Sequence, residues 1–292
     1  MRNLLSVLIF IAMTLMISGC TNLDIGAEPV SLRAVAPVPN SDIGSAKAKR
    51  KIKWTAPPLN LDDYRLTFRD EFDDMSIVPD LAKGRWFAPV HVTFGAALLV
   101  PRSPDGPFFV KDGHLVIRAE RRENGWTSGL MQTVDSKGNG FSQTFGYFEM
   151  RAKLPKGKAT WPAFWLLTQR SFVDKEATRG EIDILEAYGS QPGVIHVAVH
   201  IRPPHDKRWN FSKQIRGPEI VDGFHRYGVS IDGTWTKYYC DGEEIYRIPT
   251  FEVFKGPMYM LVDLAMVEKD MAKAVSPSEL VVDYVRAYQF KN

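Results

Sequence analysis

Glu181-Ile182-Asp183-Ile184-Leu185-Glu186 places three carboxylates in six residues, separated by branched apolar side chains. Branched apolar residues suit a pleated, half-buried surface, so the stretch reads as a strand. Successive strand residues face opposite ways, which puts Glu181 and Asp183 on one face and Ile182 and Ile184 on the other. Strict alternation turns Glu186 away from the other two acids. One extra residue, a β-bulge around Ile184–Leu185, returns Glu186 to the acidic face, and bulges are common beside active sites. Three acids sharing a face repel one another and lose solvation. The alternatives to a reactive site are a calcium site or a solvated edge strand.

Upstream, Met1–Cys20 carries a single cation, Arg2, and then an apolar run from Leu4 to Ile17. That run is shorter than the ~20 residues a membrane-spanning helix needs. It reads as the apolar region of a secretory signal. Ile17-Ser18-Gly19-Cys20 resembles the lipobox of bacterial lipoproteins, with Cys20 as the lipidated residue, and an ordinary signal ending in Cys is the alternative. Thr21 rather than Asp after the cysteine implies, by the same resemblance, the outer membrane of a Gram-negative cell envelope. Residues 21–63 show no sustained apolar period and read as a flexible tether carrying Lys47, Lys49, Arg50, Lys51 and Lys53. Cys240 is the second and last cysteine. It is expected to be a small buried apolar residue rather than a nucleophile, and no intrachain disulfide is expected.

Residues 1–53 hold seven Lys/Arg and three Asp/Glu, an excess of four positive charges within a whole-chain total of +3, which leaves −1 for residues 54–292. A near-neutral globular part argues against nucleic acid as a partner, because that function needs a basic face on the domain. The chain is expected to be a monomer held to the membrane through Cys20.

Residues 64–292 suffice for one large β domain. Alternating runs occur at Arg65–Arg69, Leu115–Ala119, Gly146–Lys153, Val194–His200, Tyr227–Ile231, Met258–Leu264 and Leu280–Tyr288. Turn signals separate them, among them Lys111-Asp112-Gly113, Asp232-Gly233 and Asp241-Gly242. There is no long amphipathic helix, no phosphate-binding loop and no Cys/His metal spacing. The domain is all-β.

Trp161 and Trp165 lie four apart, so on a strand they share a face. Indole faces stack on the weakly positive C–H bonds of sugar rings, and the alternative is that both fill the core. His196 and His200 are also four apart, with Ala198 between them. A strand histidine is either structural or, beside carboxylates, a proton-transfer and hydroxyl-binding group. His200 is the better site candidate.

Gly180 followed by Glu181–Glu186 resembles the E-I-D-[IV]-x-E signature of glycoside hydrolase family 16 in its bulged form. Phe68-Arg-Asp-Glu-Phe-Asp73, Asp112-Gly-His-Leu-Val-Ile117, Thr127-Ser-Gly129, Phe145–Pro155, Trp161-Pro-Ala-Phe-Trp165, Phe224-His-Arg-Tyr227, Tyr239-Cys-Asp-Gly242 and Val282–Tyr288 are similar to family segments in the same order. The resemblance implies a concanavalin-like β-jelly-roll sandwich of two curved antiparallel sheets, with a cleft on the concave face. It also implies a retaining mechanism. Glu181 matches the nucleophile, Glu186 the general acid/base, and Asp183 the assisting acid, whose charge is expected to keep Glu186 protonated. Trp161, Trp165 and His200 are the implied substrate-binding residues. No cofactor is implied for catalysis, but a structural Ca²⁺ on the convex side is, with Glu71, Gly113 and Asp283 at its ligand positions.

The chain departs from family patterns where substrate is chosen. Trp86–Val110 lacks the Asn-Asn-Glu of the laminarinase-like branch, Ile231 stands where many members have Trp, and Asp263 where many have Asn. Val267-Glu268 replaces a usual Gly-Gly. Gly140–Glu149 looks more like members associated with exopolysaccharide. The expected activity is hydrolysis of β-glucan-type or exopolysaccharide chains, with an envelope transglycosylase or a non-catalytic glycan-binding lipoprotein as alternatives.

Overall fold

The computed structural model describes residues 59–78, 84–89, 92–217 and 222–291. Residues 1–58, on which the expected signal, most of the expected tether and Cys20 fall, lie outside the described residues. The described strands are β1 (Tyr64–Asp70), β2 (Val92–Thr93), β3 (Ala97–Leu99), β4 (Phe108–Lys111), β5 (His114–Arg122), β6 (Gly125–Ser128), β7 (Leu130–Gln132), β8 (Gly146–Lys153) and β9 (Thr160–Thr168). They continue as β10 (Arg179–Glu186), β11 (Val194–Arg202), β12 (Trp209–Arg216), β13 (His225–Ile231), β14 (Trp235–Cys240), β15 (Glu243–Pro249), β16 (Met258–Met266) and β17 (Ser278–Phe290).

Two sheets pack as a β-jelly-roll sandwich. One runs β15-β14-β13-β8-β17-β5-β6-β3-β2, with β1 on β17 and β4 on β5. The other runs β12-β11-β10-β9-β16-β7. Pairing is antiparallel, as expected, apart from the short edge pair of β3 against β6, which is parallel. The strands predicted from alternation are all present, and Gly146–Lys153 is bounded as predicted. Asp112-Gly113 and Asp241-Gly242 each take positive φ at both residues, at 53° and 71° and at 51° and 85°. That geometry matches the right-handed strand twist in a two-residue hairpin, and Asp and Gly tolerate it.

The core fills the space between the sheets. Phe148, Met150, Tyr227, Val229, Leu280, Val282 and Val285 come from the larger sheet. Phe164, Leu166, Ile182, Val197, Val199, Met260 and Val262 come from the smaller one. The smaller sheet therefore has one face in the core and its other face free to carry polar chemistry. Tyr238 on β14 ties the two sheets together, its buried hydroxyl donating to the Ala198 carbonyl on β11 at 2.9 Å.

Gly180 follows from packing. A Cβ there would lie 2.7 Å from the ring of buried Phe254, so only glycine lets β10 sit this close to the segment Glu252–Lys255. The tether boundary is also corrected. Leu59 and Leu61 pack against Tyr147, Tyr239 and Tyr288, and the Leu59 N–H donates to the Gly242 carbonyl at 3.0 Å. Apolar Leu59 and Leu61 thus anchor residues 59–63 to the domain, although by composition they were grouped with the tether.

Replacing Tyr238 by Phe removes the inter-sheet bond while keeping the ring. The expected cost is about 1 kcal/mol of unfolding free energy, read by urea denaturation with an unchanged m-value.

Candidate active site

β10 carries the acids, and its pairing shows how they come together. Against β11, Asp183 pairs with Ala198 and Glu186 with His196, so three steps on β10 match two on its neighbour. Against β9, Asp183 pairs with Trp165 and Leu185 with Phe164. The extra residue is the bulge at Ile184–Leu185. Both apolar residues enter the core, at 2% and 0% exposure, and Glu186 returns to the face of Glu181 and Asp183.

Each acid meets a different environment. Arg202 on β11 grips Glu181 with both ends of its guanidinium, Nη1 donating to Oε2 at 2.9 Å and Nη2 to Oε1 at 3.1 Å. Asp183 is buried, and His200 Nε2 lies 3.0 Å from its Oδ2, an ionic contact that is off the line of a hydrogen bond. His200 Nε2 is also 3.8 Å from Glu181 Oε1, while its Nδ1 sits 2.6 Å from the Asn210 side-chain oxygen. Glu186 Oε1 accepts from Trp161 Nε1 at 2.9 Å and from the Tyr188 hydroxyl at 3.2 Å.

Burial, reinforced by the Glu181 charge, pushes the Asp183 carboxyl up to about 8. Burial opposes the charged form of His200, but contacts with Asp183 and Glu181 outweigh it and carry that imidazole up to about 9. Glu186 is raised, first by burial and then by the Glu181 charge, against the lowering effect of the Trp161 and Tyr188 bonds. The expectation that Asp183 holds Glu186 protonated is thus revised. Burial does most of it, and Asp183 is itself an acid whose neutral form is favoured.

Aromatic side chains line the same face. Trp161 stacks on Tyr188 with centroids 5.6 Å apart, and Phe94 stands edge-on to both Trp161 and Trp165. Trp165 Nε1 donates to Asp263 on β16 at 2.8 Å. Asp263 is fully buried, and that burial pushes its carboxyl well above the usual range. His196 faces the site edge, with Nε2 at 3.2 Å from Gln191 Oε1 and its ring edge-on to Tyr188. A carboxylate against a guanidinium, a neighbouring carboxyl whose proton is favoured, and flat aromatic faces beside them form a set suited to glycosidic bond chemistry.

Residues 105–284 match the family described as glycosyl hydrolases family 16. The chain belongs to glycosyl hydrolase family 16. Among its relatives are two proteins of Rhizobium meliloti, endo-1,3-1,4-beta-glycanase EglC, 35% identical over 206 residues, and endo-1,3-1,4-beta-glycanase ExsH, 33% identical over 204 residues. Each alignment covers 64% of this chain and 41% of the relative, so the chain spans about two fifths of the length of these curated relatives. Among solved structures, the catalytic domain of an endo-1,3-beta-glucanase (laminarinase) from Thermotoga petrophila is 25% identical. It superposes with a TM-score of 0.64 over 79% of this chain and 99% of its own. A non-specific endo-beta-1,3(4)-glucanase of the same family reaches 0.67 at 24% identity, over 80% and 98%, and shares the fold.

Within this family 16 domain, Glu181, Asp183, Glu186, Trp161, Trp165 and His200 lie on one face. Arg202, Tyr188, Asn210 and Phe94 were missed from the sequence. Arg202 shares the parity of His196 and His200 on β11, so alternation extended along that strand finds it, whereas Tyr188 lies past the end of β10.

The carboxylates expected to hold calcium already have cationic partners. Glu71 is held by Arg286 through bonds of 2.9 and 2.8 Å, and Asp283 pairs with Arg151 and, at 3.5 Å, with His114. A cation there would have to displace two guanidinium groups, so Glu71, Gly113 and Asp283 do not fit a calcium cage. Among the described residues, Glu181, Asp183 and His200 do offer ligand atoms within 4.8 Å of one another, but Arg202 already binds both Glu181 oxygens. Burial pushes the Cys240 thiol up to about 12, as suits an inert apolar residue rather than a nucleophile.

His200 rises from an ordinary 6.5 to about 9, so its charged form contributes stability that is complete below pH 6.5 and lost as pH rises through 9. In Asp183→Asn the imidazole loses its main partner. Its NMR titration midpoint is expected to fall by at least one pH unit, and with it most of the stability loss between pH 6.5 and 9.

Proposed function

We propose that this protein is a retaining, endo-acting glycoside hydrolase that cleaves β-glucan-type or bacterial exopolysaccharide chains by double displacement. The observation that carries this reading is the bulge, which presents Glu181 and Glu186 to one face in unlike environments. A carboxylate of Glu181 attacks the anomeric carbon as the bond to the leaving oxygen breaks. Glu186, whose proton is favoured by burial, gives that proton to the departing oxygen. Glu186 then takes a proton from water, the water oxygen bonds to the anomeric carbon, and the Glu181 ester is released.

The surrounding residues support these steps. Arg202 fixes Glu181 with one N–H on each oxygen, which leaves each oxygen a lone pair for attack. Trp161 and Tyr188 hold Glu186 by one oxygen and leave the other for the leaving group. Asp183 and His200 form a close pair beside Glu181, and both are shifted towards their protonated forms. Trp161 and Trp165 give apolar faces for sugar rings. The R. meliloti relatives bear the name endo-1,3-1,4-beta-glycanase, which favours a β-glucan-like backbone here.

The test is hydrolysis of a panel of β-1,3-, β-1,3-1,4- and native exopolysaccharide chains, followed by proton NMR of the first product. The β-anomer is expected to appear first. Glu181→Gln and Glu186→Gln are each expected to lower turnover by at least about 10²–10⁴-fold with unchanged circular dichroism. First appearance of the α-anomer, or normal turnover by either variant, contradicts the reading.

A further inference from the structure

The polar face of the smaller sheet places two arginines side by side next to Glu181. Arg179 on β10 and Arg202 on β11 are direct cross-strand partners. Both share the parity of the site residues, Arg179 two before Glu181 and Arg202 two after His200. Like charges placed directly opposite each other weaken a sheet, so strand pairing gives no reason for them. Arg202 uses one N–H on each terminal nitrogen for Glu181, and a guanidinium has five such donors. Arg179 is exposed and makes no hydrogen bond or ion pair among the described residues.

On the adjoining segments Glu176 pairs with His205 at 2.7 Å, and Asp206 accepts from the Lys207 backbone N–H at 2.6 Å and keeps its negative charge. Lys207 and Arg208 add further positive charge to the segment that leads into β12. Two guanidinium groups therefore stand side by side at the Glu181 end of the acid cluster, only Arg202 bound to a carboxylate and both with donors to spare. A neutral glucan, which offers only hydroxyls, would leave that surplus unanswered.

We infer that Arg179 and Arg202 form a subsite for a carboxylate carried by the substrate, either a uronate or an acidic acyl or ketal substituent, on the sugar bound beside Glu181. The inference rests on the glycoside hydrolase reading and narrows its substrate class. The planar fork of arginine matches a carboxylate through two parallel bonds, which a hydroxyl cannot satisfy. Glu181 keeps its own partner in Arg202, so Arg179 offsets the second negative charge.

The experiment compares a mixed-linkage β-glucan with the same glucan after partial oxidation of its primary hydroxyls to carboxylates. The wild-type protein is expected to show kcat/KM about tenfold higher on the carboxylated chain, the scale of one charge-assisted contact of about 1.4 kcal/mol. Arg179→Ala should erase that preference while keeping the rate on the neutral glucan within about twofold, and Arg179→Lys should keep part of it. Equal losses on both glucans in Arg179→Ala, or a wild-type preference for the neutral chain, would overturn the subsite. If the wild-type protein cleaves neither glucan, the hydrolase reading fails instead. The subsite is then decided by binding: glucuronate bound in preference to glucose, and lost in Arg179→Ala, upholds it, and equal binding of the two sugars overturns it.

Discussion

The bulge at Ile184–Leu185 is the constraint on which the site depends. In a regular strand, odd and even residues go to opposite faces, and five steps separate Glu181 from Glu186. Without the extra residue, Glu186 would enter the core in place of Leu185, a buried charge with no partner. With it, two successive apolar residues join the core and stabilise the bulged backbone, while all three acids face the cleft. Packing and chemistry are met by the same irregularity, and the core contacts of Ile184 and Leu185 hold it in register.

Once the acids share a face, their neighbours make them unlike. Glu181 has a bidentate guanidinium, Asp183 an imidazole, and Glu186 only neutral donors in a largely buried niche. Burial thus favours the neutral forms of Asp183 and Glu186 while Glu181 keeps a guanidinium partner, so three carboxyl groups on one face meet unlike conditions. Tyr238 crosses the core to the backbone of Ala198, directly beside Asp183 in the ladder, so the floor beneath the acids is fixed to the opposite sheet. Asp263 does similar work laterally by holding the Trp165 indole.

Much of this was legible in the sequence, and the exceptions have physical causes. Strands with one face in the core show themselves by alternation, and the parity of Glu186 required a bulge. β12 does not alternate, because Trp209–Arg216 is an edge strand exposed along almost its whole length. Arg202 was readable by parity but lies beyond the histidines that drew notice. Glu71 and Asp283 looked like cation ligands because their arginine partners are invisible locally. Arg286 meets Glu71 only through the β1–β17 pairing, across 215 residues of chain. The first residues of the domain were hidden in a similar way, since Leu59 and Leu61 find their apolar partners only after β8, β14 and β17 have brought three tyrosines together.

Assigning the nucleophile to Glu181 and the acid/base to Glu186 is most directly tested by trapping the covalent intermediate. A 2-deoxy-2-fluoro β-glucan oligosaccharide with a good leaving group slows both steps, and the labelled protein can be digested and mapped by mass spectrometry. The adduct is expected on the peptide containing residues 179–186, with fragment ions that place the sugar on Glu181. A label on Glu186 or Asp183, or steady turnover with no covalent species, would contradict the assignment.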